Sequence, residues 1–223
     1  MIVPARRIPR RPPPVLVTAG PTREKIDPVR YISNYSTGTF GYEIAKEALC
    51  RGSRVTLVSG PTHLMPPKGA RLIKVESALE MRKAVKKELG KAGLLIMAAA
   101  VSDWRPALAA RTKIKRSGGV KVLEFVENPD ILREIGRNKR AGLVLVGFAL
   151  ETGDLAGNAL EKMLAKRLDM VVANMAGRKI GAFGDNIHNI LTIDRHGNRT
   201  SLKGKTKKQL AKIILDKAFG FKL

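Results

Sequence analysis

Short runs of aliphatic residues recur along the chain, and segments with helical apolar spacing separate them. The runs lie at 15–18, 54–60, 72–75, 94–101, 143–149 and 170–174. The run at 94–101 has no polar side chain, which is typical of a central parallel strand covered on both faces. Because parallel neighbours need crossover connections, the helical segments between the runs fit that arrangement. The pattern predicts an α/β protein with a Rossmann-like doubly wound, mostly parallel sheet.

Two segments interrupt this alternation. Residues 113–116 and 120–126 flank Gly118 and Gly119, and they predict a protruding β-hairpin. Residues 190–193 and 200–202 predict a C-terminal β-hairpin, followed by a helix at 206–221. Further helices are predicted to begin near Phe40, Ser77, Pro129 and Asp154, with Pro129 at the first helical position.

The chain divides into a short arm and one domain. Residues 1–14 are basic and proline-rich, which predicts an extended arm or a linker, and residues 15–223 form the folded domain. The single cysteine, Cys50, cannot form an intrachain disulfide, which favours a reducing cytoplasmic location. Because a bilayer-spanning helix needs about 18 consecutive apolar residues, no membrane association is expected.

The chain is strongly basic. It has 42 Lys and Arg against 19 Asp and Glu, a formal net charge of +23. Such a charge favours an acidic partner, which could be nucleic acid, anionic lipid or a phosphorylated small molecule. Adaptation of the surface to solubility or habitat explains it equally well. Aromatic residues make up 4% of the chain and no nucleic-acid-reading motif is present, so specific nucleic-acid binding is not the favoured interpretation.

The connection between the first strand and the first helix is unusually long. It runs over residues 20–41, whereas connections in such units usually have about 2–6 residues, and longer ones tend to be functional. Ligands of doubly wound sheets bind beyond the carboxyl ends of the strands. The candidate site loops are therefore 20–41, 59–69, 98–106, 148–153 and 174–189.

These loops do not carry a complete nicotinamide signature. Ser36-x-Gly38-x-x-Gly41 has two of the three expected glycines, and the second strand ends at Pro61 without an acidic residue for a ribose hydroxyl. No Walker A loop occurs, and the histidines are scattered. With these signatures absent, the loops are best interpreted as a phosphate site made of helix N-termini, backbone amides and lysines. Lys162 and Lys166 share one helix face, although a solvated face is the commoner reason for such a pair.

Several motifs, in order, resemble the phosphopantothenate–cysteine ligase family, also called phosphopantothenoylcysteine synthetase. The longest is Thr18-Ala-Gly-Pro-Thr-Arg-Glu-x-Ile-Asp-Pro-Val-Arg-Tyr-Ile-Ser-Asn34. The others are Ala98-Ala-Ala-Val-Ser-Asp-Trp-Arg-Pro106, Lys113-Ile-Lys-Arg116, Asn128-Pro-Asp-Ile-Leu132, Gly147-Phe-Ala-Leu-Glu-Thr152, Lys162-x-x-x-Lys166-x-x-Asp169 and Ala173-Asn174. They span about residues 15–220, so the resemblance makes 15–223 a nucleotide-binding ligase domain.

The resemblance implies a reaction. The family joins 4′-phosphopantothenate to cysteine in coenzyme A synthesis, and its bacterial members activate the carboxylate with CTP as an acyl-cytidylate. It also implies Mg²⁺, for which no protein ligand can be named, and a homodimer with shared sites. Many bacterial members carry a fused flavin-dependent decarboxylase, so the resemblance implies a separate or formerly fused partner of that kind.

The resemblance also implies site residues. Asn34 is expected to be catalytic, and Ser36 and Gly38 to bind phosphopantothenate with it. Lys113 is expected to be catalytic and to contact phosphate. The remaining nucleotide-binding positions are Met97, Ala98, Ala99, Asp103, Pro129, Asp130, Ile131, Leu132, Phe148, Lys162 and Lys166.

The sequence departs from the family at two positions. Thr39 stands where many bacterial members have lysine, and Arg116 replaces the last lysine of the usual Lys-x-Lys-Lys. Gly20-Pro21-Thr22 and the chain length favour CTP over the ATP of eukaryotic members. A basic nucleic-acid-binding protein and an NAD(P)-dependent reductase remain the alternatives.

Overall fold

The computed structural model describes residues 12–116, 118–175 and 187–221. The strands within these residues are β1 (Val15–Ala19), β2 (Arg23–Lys25), β3 (Tyr31–Ser33), β4 (Val55–Ser59), β5 (Arg71–Lys74), β6 (Leu94–Met97), β7 (Trp104–Pro106), β8 (Phe125–Glu127), β9 (Val144–Glu151), β10 (Met170–Met175), β11 (His188–Asp194) and β12 (Arg199–Lys205). The helices are α1 (Thr39–Cys50), α2 (Ala78–Leu89), α3 (Ile131–Arg137), α4 (Leu155–Ala165) and α5 (Lys207–Phe219).

The main sheet confirms the predicted architecture. Its strand order is β12-β11-β10-β9-β6-β1-β4-β5. Six of its strands, β10, β9, β6, β1, β4 and β5, are parallel. At one edge β11 and β12 continue the sheet as an antiparallel hairpin. In chain order the six parallel strands are arranged 3-2-1-4-5-6, the order of the Rossmann fold, and the order reverses between β1 and β6. This reversal marks the expected ligand-binding edge.

Helices cover both faces of the sheet and form two apolar cores. Successive strand residues point to opposite faces, so Val17 packs in the core beneath α1 and α5 whereas Leu16 packs in the core beneath α2, α3 and α4. The same alternation places Ile96 on the first face and Leu95 on the second. Burial of β1 and β6 on both sides explains why their sequences are continuously apolar.

Side-chain caps set where most helices begin. Ser77 caps α2 as predicted, because its hydroxyl accepts from the backbone N–H of Glu80 at 3.2 Å. Thr206 caps α5 in a reciprocal capping box with Gln209. The predicted start of α3 was wrong by two residues. Asp130 is the N-cap and accepts from Arg133 N at 3.0 Å, so Pro129 lies before the helix rather than at its first position.

The protruding hairpin pairs differently from the prediction. The antiparallel pair is β7 with β8, in which Trp104 faces Glu127 and Pro106 faces Phe125. Neither 113–116 nor 120–123 is a strand. The predicted segments therefore lie in the long connection that the two short strands close. The C-terminal hairpin is confirmed, with Ile190 opposite Leu202.

Other differences are small. β6 ends at Met97, so 98–101 is loop rather than strand. An unpredicted hairpin of β2 and β3 lies inside the long connection after β1. Most of the predicted arm at 1–14 and of the predicted loop at 175–189 falls outside the described residues. No helix in the described ranges is long and apolar enough to cross a membrane.

Candidate functional site

A cleft of two connected lobes lies at the carboxyl edge of the sheet. The first lobe, of about 500 Å³, is lined by residues 34–40, 98–101 and 148–150 together with Asn174 and Lys207. The second, of about 360 Å³, is lined by Met97, by residues 127–133 and by Lys166. Residues shared by both lobes are Ala99, Val101, Asp103, Phe148 and Lys162. The cleft therefore straddles the point at which the strand order reverses.

Hydrogen bonds between two loops shape one wall of the cleft. Gly20, with φ +74, turns the chain after β1, and its carbonyl accepts from Ala100 N at 2.9 Å. Thr22 N donates to Ala100 O at 3.3 Å, and the Thr22 hydroxyl accepts from Ser102 N at 3.0 Å. The Nδ2 atom of Asn34 donates to Val101 O at 3.1 Å. The loops after β1 and β6 therefore form one connected wall.

The start of α1 faces the first lobe. Gly38 is its N-cap in the left-handed region, with φ +79, and no side chain caps the helix. Gly41 lies so close to β1 that an added Cβ would sit 2.5 Å from the Ala19 Cβ. Asn34, Ser36 and Gly38 all line this lobe, as does Ala98. An uncapped helix N-terminus held against the sheet suits an anionic ligand.

The second lobe gathers most of the predicted nucleotide residues. These are Met97, Ala99, Asp103, Pro129, Asp130, Ile131, Leu132, Phe148, Lys162 and Lys166. Lys166 Nζ lies 2.8 Å from Asp130 Oδ2, so α3 and α4 are joined by an ion pair inside the lobe. A Cβ on Gly136 would lie 1.9 Å from the Lys166 carbonyl oxygen, so only glycine lets the two helices approach this closely.

The electrostatics of this lobe centre on Lys162. Burial lowers its pKa, and the neighbouring positive charge of Lys166 lowers it further, while Glu151, Asp103 and Asp130 partly offset both effects. Burial opposes the ionised form of Asp130, but hydrogen bonds from Lys166 and from the Arg133 backbone outweigh it and lower the pKa of that carboxyl. Two cations close together in a concave site favour a multiply charged anion.

Lys113 does not lie in the cleft of its own chain. It lines a separate basic concavity with Arg30, Lys115, Arg116 and Lys121. The buried carboxylate of Asp27 accepts from Ile114 N at 3.1 Å, and the Arg30 guanidinium donates to Ile114 O at 2.9 Å. The Arg30 guanidinium also holds the pKa of Asp27 well below its usual range. The basic segment is therefore fixed to the loop after β1, away from both lobes.

The sequence interpretation missed several lining residues. Phe40 packs edge-on against Phe148, with ring centroids 4.9 Å apart, and it lies in a motif that drew attention only for its glycines. Asn174 was quoted within a family motif without a role, and its place after a buried strand was the available signal. Lys207 gave no signal among the many lysines of the chain.

Asp169, which also belongs to one of the family motifs, is structural, because its buried carboxylate binds Lys139, Arg195 and the backbone of β9.

No cluster of three metal-binding side chains occurs among the described residues. Asp103 lies at the junction of the lobes, and Asp130 is already engaged by Lys166. Mg²⁺ commonly uses one or two carboxylates together with substrate phosphates. Asp103 is therefore a carboxylate of the cleft that could hold such an ion together with phosphate oxygens.

The fold and the cleft define a Rossmann-like α/β protein with a two-lobed cleft at its switch point. The chain belongs to the family described as the DNA/pantothenate metabolism flavoprotein C-terminal domain, whose model matches residues 12–221. The Coenzyme A biosynthesis bifunctional protein CoaBC of Vibrio cholerae is 43% identical over 203 residues, which cover 90% of this chain and 51% of that protein. The chain spans about half the length of the curated relatives it matches.

Solved structures agree with this assignment. The crystal structure of the C-terminal domain of a CoaBC protein has a TM-score of 0.80 and 36% identity, covering 94% of this chain and 95% of that one. A Cab2 variant in complex with phosphopantothenate-cysteine has a TM-score of 0.75 at 17% identity, covering 92% of this chain and 84% of that one. The second similarity concerns the fold alone.

Proposed function

We propose that this chain is a phosphopantothenate–cysteine ligase. It would join 4′-phosphopantothenate to L-cysteine in coenzyme A biosynthesis, with CTP converted to CMP and pyrophosphate through an acyl-cytidylate. Family membership and the coenzyme A biosynthesis proteins at about 40% identity support this assignment. The observation that carries it is the bipartite cleft, which has cations in one lobe and Asn34 with an open helix N-terminus in the other.

In this proposal the second lobe binds the nucleotide. A triphosphate carries about four negative charges, and its departure as pyrophosphate needs fixed positive charge in a poorly hydrated site. Lys162 and Lys166 supply that charge on the α3 and α4 side of the sheet. Mg²⁺, when bound, would neutralise part of the phosphate charge. Phe148 and residues 129–132 would enclose the base and the ribose.

The first lobe would then bind the acyl group. The carboxyl carbon of phosphopantothenate must lie where the two lobes meet, beside Val101 and Asn34. The Asn34 amide is already held by the Val101 carbonyl, so it is positioned without further ordering. One N–H of that amide remains to donate to the acyl oxygen when cysteine displaces CMP.

We further propose a homodimer with shared sites. Lys113 lies outside the cleft of its own chain, yet a second copy could bring its basic segment to the first chain's cleft. Exposed apolar side chains on the same connection, Leu108, Val120 and Val122, support an interface there.

The proposed ligase domain is 15–223, with 1–14 as an arm or linker. A cytoplasmic location and a separate or fused flavin-dependent decarboxylase partner are proposed with it.

Pyrophosphate release tests the assignment. The chain is incubated with phosphopantothenate and either CTP or ATP, with and without cysteine. We expect release with CTP in both cases and CMP only when cysteine is added. Turnover with ATP but not with CTP would change the assigned nucleotide from CTP to ATP. Absence of both reactions, with tight salt-sensitive binding of random DNA or NADPH quenching of Trp104, would replace the ligase with one of the alternatives.

A further inference from the structure

The edge of the sheet opposite the cleft is strongly basic. The chain enters its parallel strands there, and the β11–β12 turn lies at the same edge because Asp194 pairs with Met170. We call the segments at this edge the amino edge, and they are 51–55, 68–71, 87–94, 137–144, 167–170 and 194–199. Its exposed charged side chains are all Lys or Arg. They are Arg54, Lys68, Arg71, Lys87, Lys91, Arg137, Arg140, Arg167, Arg195 and Arg199.

The carboxylates of the amino edge do not balance these cations at the surface. Glu88 is buried, and its two oxygens accept from the Arg71 guanidinium at 2.7 and 3.1 Å. Asp169 is buried with the partners described above. Asp194 accepts hydrogen bonds from the backbone of its own turn. The negative charge is therefore largely enclosed, whereas the positive charge faces solvent.

The cations follow the edge of the sheet as a row. In the order of the strands from β5 to β10, the row contains Arg71, Arg54, Lys91, Arg140 and Arg167. Because neighbouring strands lie about 4.8 Å apart, the row from β5 to β12 is about 34 Å long. Hydrogen bonds join adjacent segments, since Arg140 donates to Ala92 O and Gly93 N donates to Pro14 O. The row is therefore an extended feature of the rigid sheet.

Part of the row is concave. A groove of about 620 Å³ is lined by Ser53, Arg54, Arg71 and Lys91 at the start of β1 and β4. Ser53 is 4% exposed, and its Oγ atom is buried without a hydrogen-bond partner among the residues that the structure describes. Arg71 and Lys91 share the charge of Glu88, and Arg54 adds further positive charge. A free hydroxyl among cations suits a phosphate oxygen, which only accepts hydrogen bonds.

The composition of the amino edge indicates the class of its partner. None of the exposed large apolar side chains in the described chain lies there, although membrane-surface and protein-binding sites usually carry such anchors. The edge also has no aromatic side chain on which single-stranded bases could stack. Most of its exposed cations are arginines, whose guanidinium groups pair with phosphate through two hydrogen bonds.

We infer that the amino edge binds the phosphate backbone of duplex nucleic acid without reading its sequence. At about 3.4 Å per base pair, a row of this length covers about ten base pairs. The cleft lies at the other end of the strands, so a bound duplex leaves it open. This role is separate from the proposed ligase activity and does not depend on it.

Salt-dependent binding of a labelled DNA duplex to the whole chain tests this role. The edge variant is Arg54→Gln/Lys91→Gln/Arg199→Gln, and all three residues are exposed. We expect it to bind about tenfold or more weakly than wild type, with a slope of log affinity against log salt that is shallower by about 2–3. The control, Lys46→Gln/Lys208→Gln/Lys212→Gln, removes the same charge from exposed positions on α1 and α5 and should stay within about threefold of wild type. Equal weakening in both variants would refute a localised site.

Further probes separate the possible partners. DNA and RNA duplexes, each in one sequence and in a shuffled one, should bind within about threefold of one another at equal salt. A strong preference for one sequence would contradict backbone recognition. Tighter binding to vesicles of phosphatidylcholine and phosphatidylglycerol, in a ratio of about 2:1, would assign the edge to a membrane surface instead. Thermal unfolding checks that both variants are folded, whether or not the chain releases pyrophosphate.

Discussion

At the residue scale, the neutral amide of Asn34 is the group on which the second half-reaction depends. Its Nδ2 donates to Val101 O in the free chain, which a carboxylate cannot do. In Asn34→Asp the charge would face a carbonyl oxygen and repel the developing oxyanion. The residue is therefore expected to matter after, and not before, formation of the acyl-cytidylate.

We predict that Asn34→Asp accumulates acyl-cytidylate and forms product about 10²–10³-fold more slowly than wild type. Rapid-quench analysis of labelled CTP measures both species. Asn189→Asp is the control, because its Oδ1 accepts from Gly204 N and a carboxylate keeps that bond. Normal product formation in Asn34→Asp would remove Asn34 from the second step.

Lys162 should make nucleotide binding depend on pH. Burial and then the charge of Lys166 lower its pKa, so its positive charge is lost at a lower pH than for an ordinary lysine. Affinity for CTP should therefore fall as the pH rises through that lowered pKa. Calorimetry between about pH 7 and 10, at constant ionic strength, should show this decline in wild type. Lys162→Gln should bind more weakly and lack it, and a parallel decline in both proteins would contradict the role of Lys162.

At the element scale, the close packing of α1 on β1 sets the position of the helix N-terminus in the cleft. Gly41 allows this approach, since an added Cβ would also lie 2.8 Å from Thr18 O. Atoms of the β1 backbone and of the buried Ala19 cannot yield easily. Displacement of α1 would move Gly38 and Ser36 together, so stability and binding are coupled here.

Gly41→Ala should lower the free energy of unfolding by about 1–3 kcal/mol and weaken phosphopantothenate binding. Gly90→Ala is the matched control, because an added Cβ there would meet nothing within 4 Å and its φ of −60 suits alanine. That control should be unchanged or more stable by about 0.4–1 kcal/mol. Urea unfolding measures both, and equal stability of the two variants would show that α1 can move away from the sheet at little cost.

At the scale of the whole molecule, the position of Lys113 bears on assembly. Asp27 and Arg30 anchor its segment to the loop after β1, so a large movement toward its own cleft would break those hydrogen bonds. In the proposed homodimer, a second copy would supply this segment with those hydrogen bonds intact. The high positive charge should make association of two copies sensitive to salt, because screening reduces their mutual repulsion.

Mixing inactive variants tests shared sites. Lys113→Ala and Asn34→Asp should each form product at no more than a small fraction of the wild-type rate when present alone. In a mixed population, random pairing should restore about one quarter of the sites, because one site of each mixed dimer combines two intact residues. Mixing Lys113→Ala with itself at the same concentration is the control. A mixture as inactive as its components would place Lys113 in its own chain's site or remove it from the reaction.

The sequence alone determined the main parallel strands and the helices of this protein, and the edge of the sheet that carries the cleft. Aliphatic runs such as 94–101 specify strands buried on both faces, and alternation with helices specifies a parallel sheet whose carboxyl edge collects the loops. The positions of Asn34, Lys162 and Lys166 in the cleft followed from their motifs. These features depend on local pattern and spacing, which a single chain displays.

Only the tertiary structure decided which distant groups meet. Capping by Asp130 excludes Pro129 from α3, and the β7–β8 pairing leaves 113–116 outside any strand. The separation of Lys113 from the cleft depends on hydrogen bonds that tie its segment to Asp27 and Arg30, which are far away in the chain. Burial and hydrogen-bond partners are properties of such contacts, so local sequence patterns do not determine them.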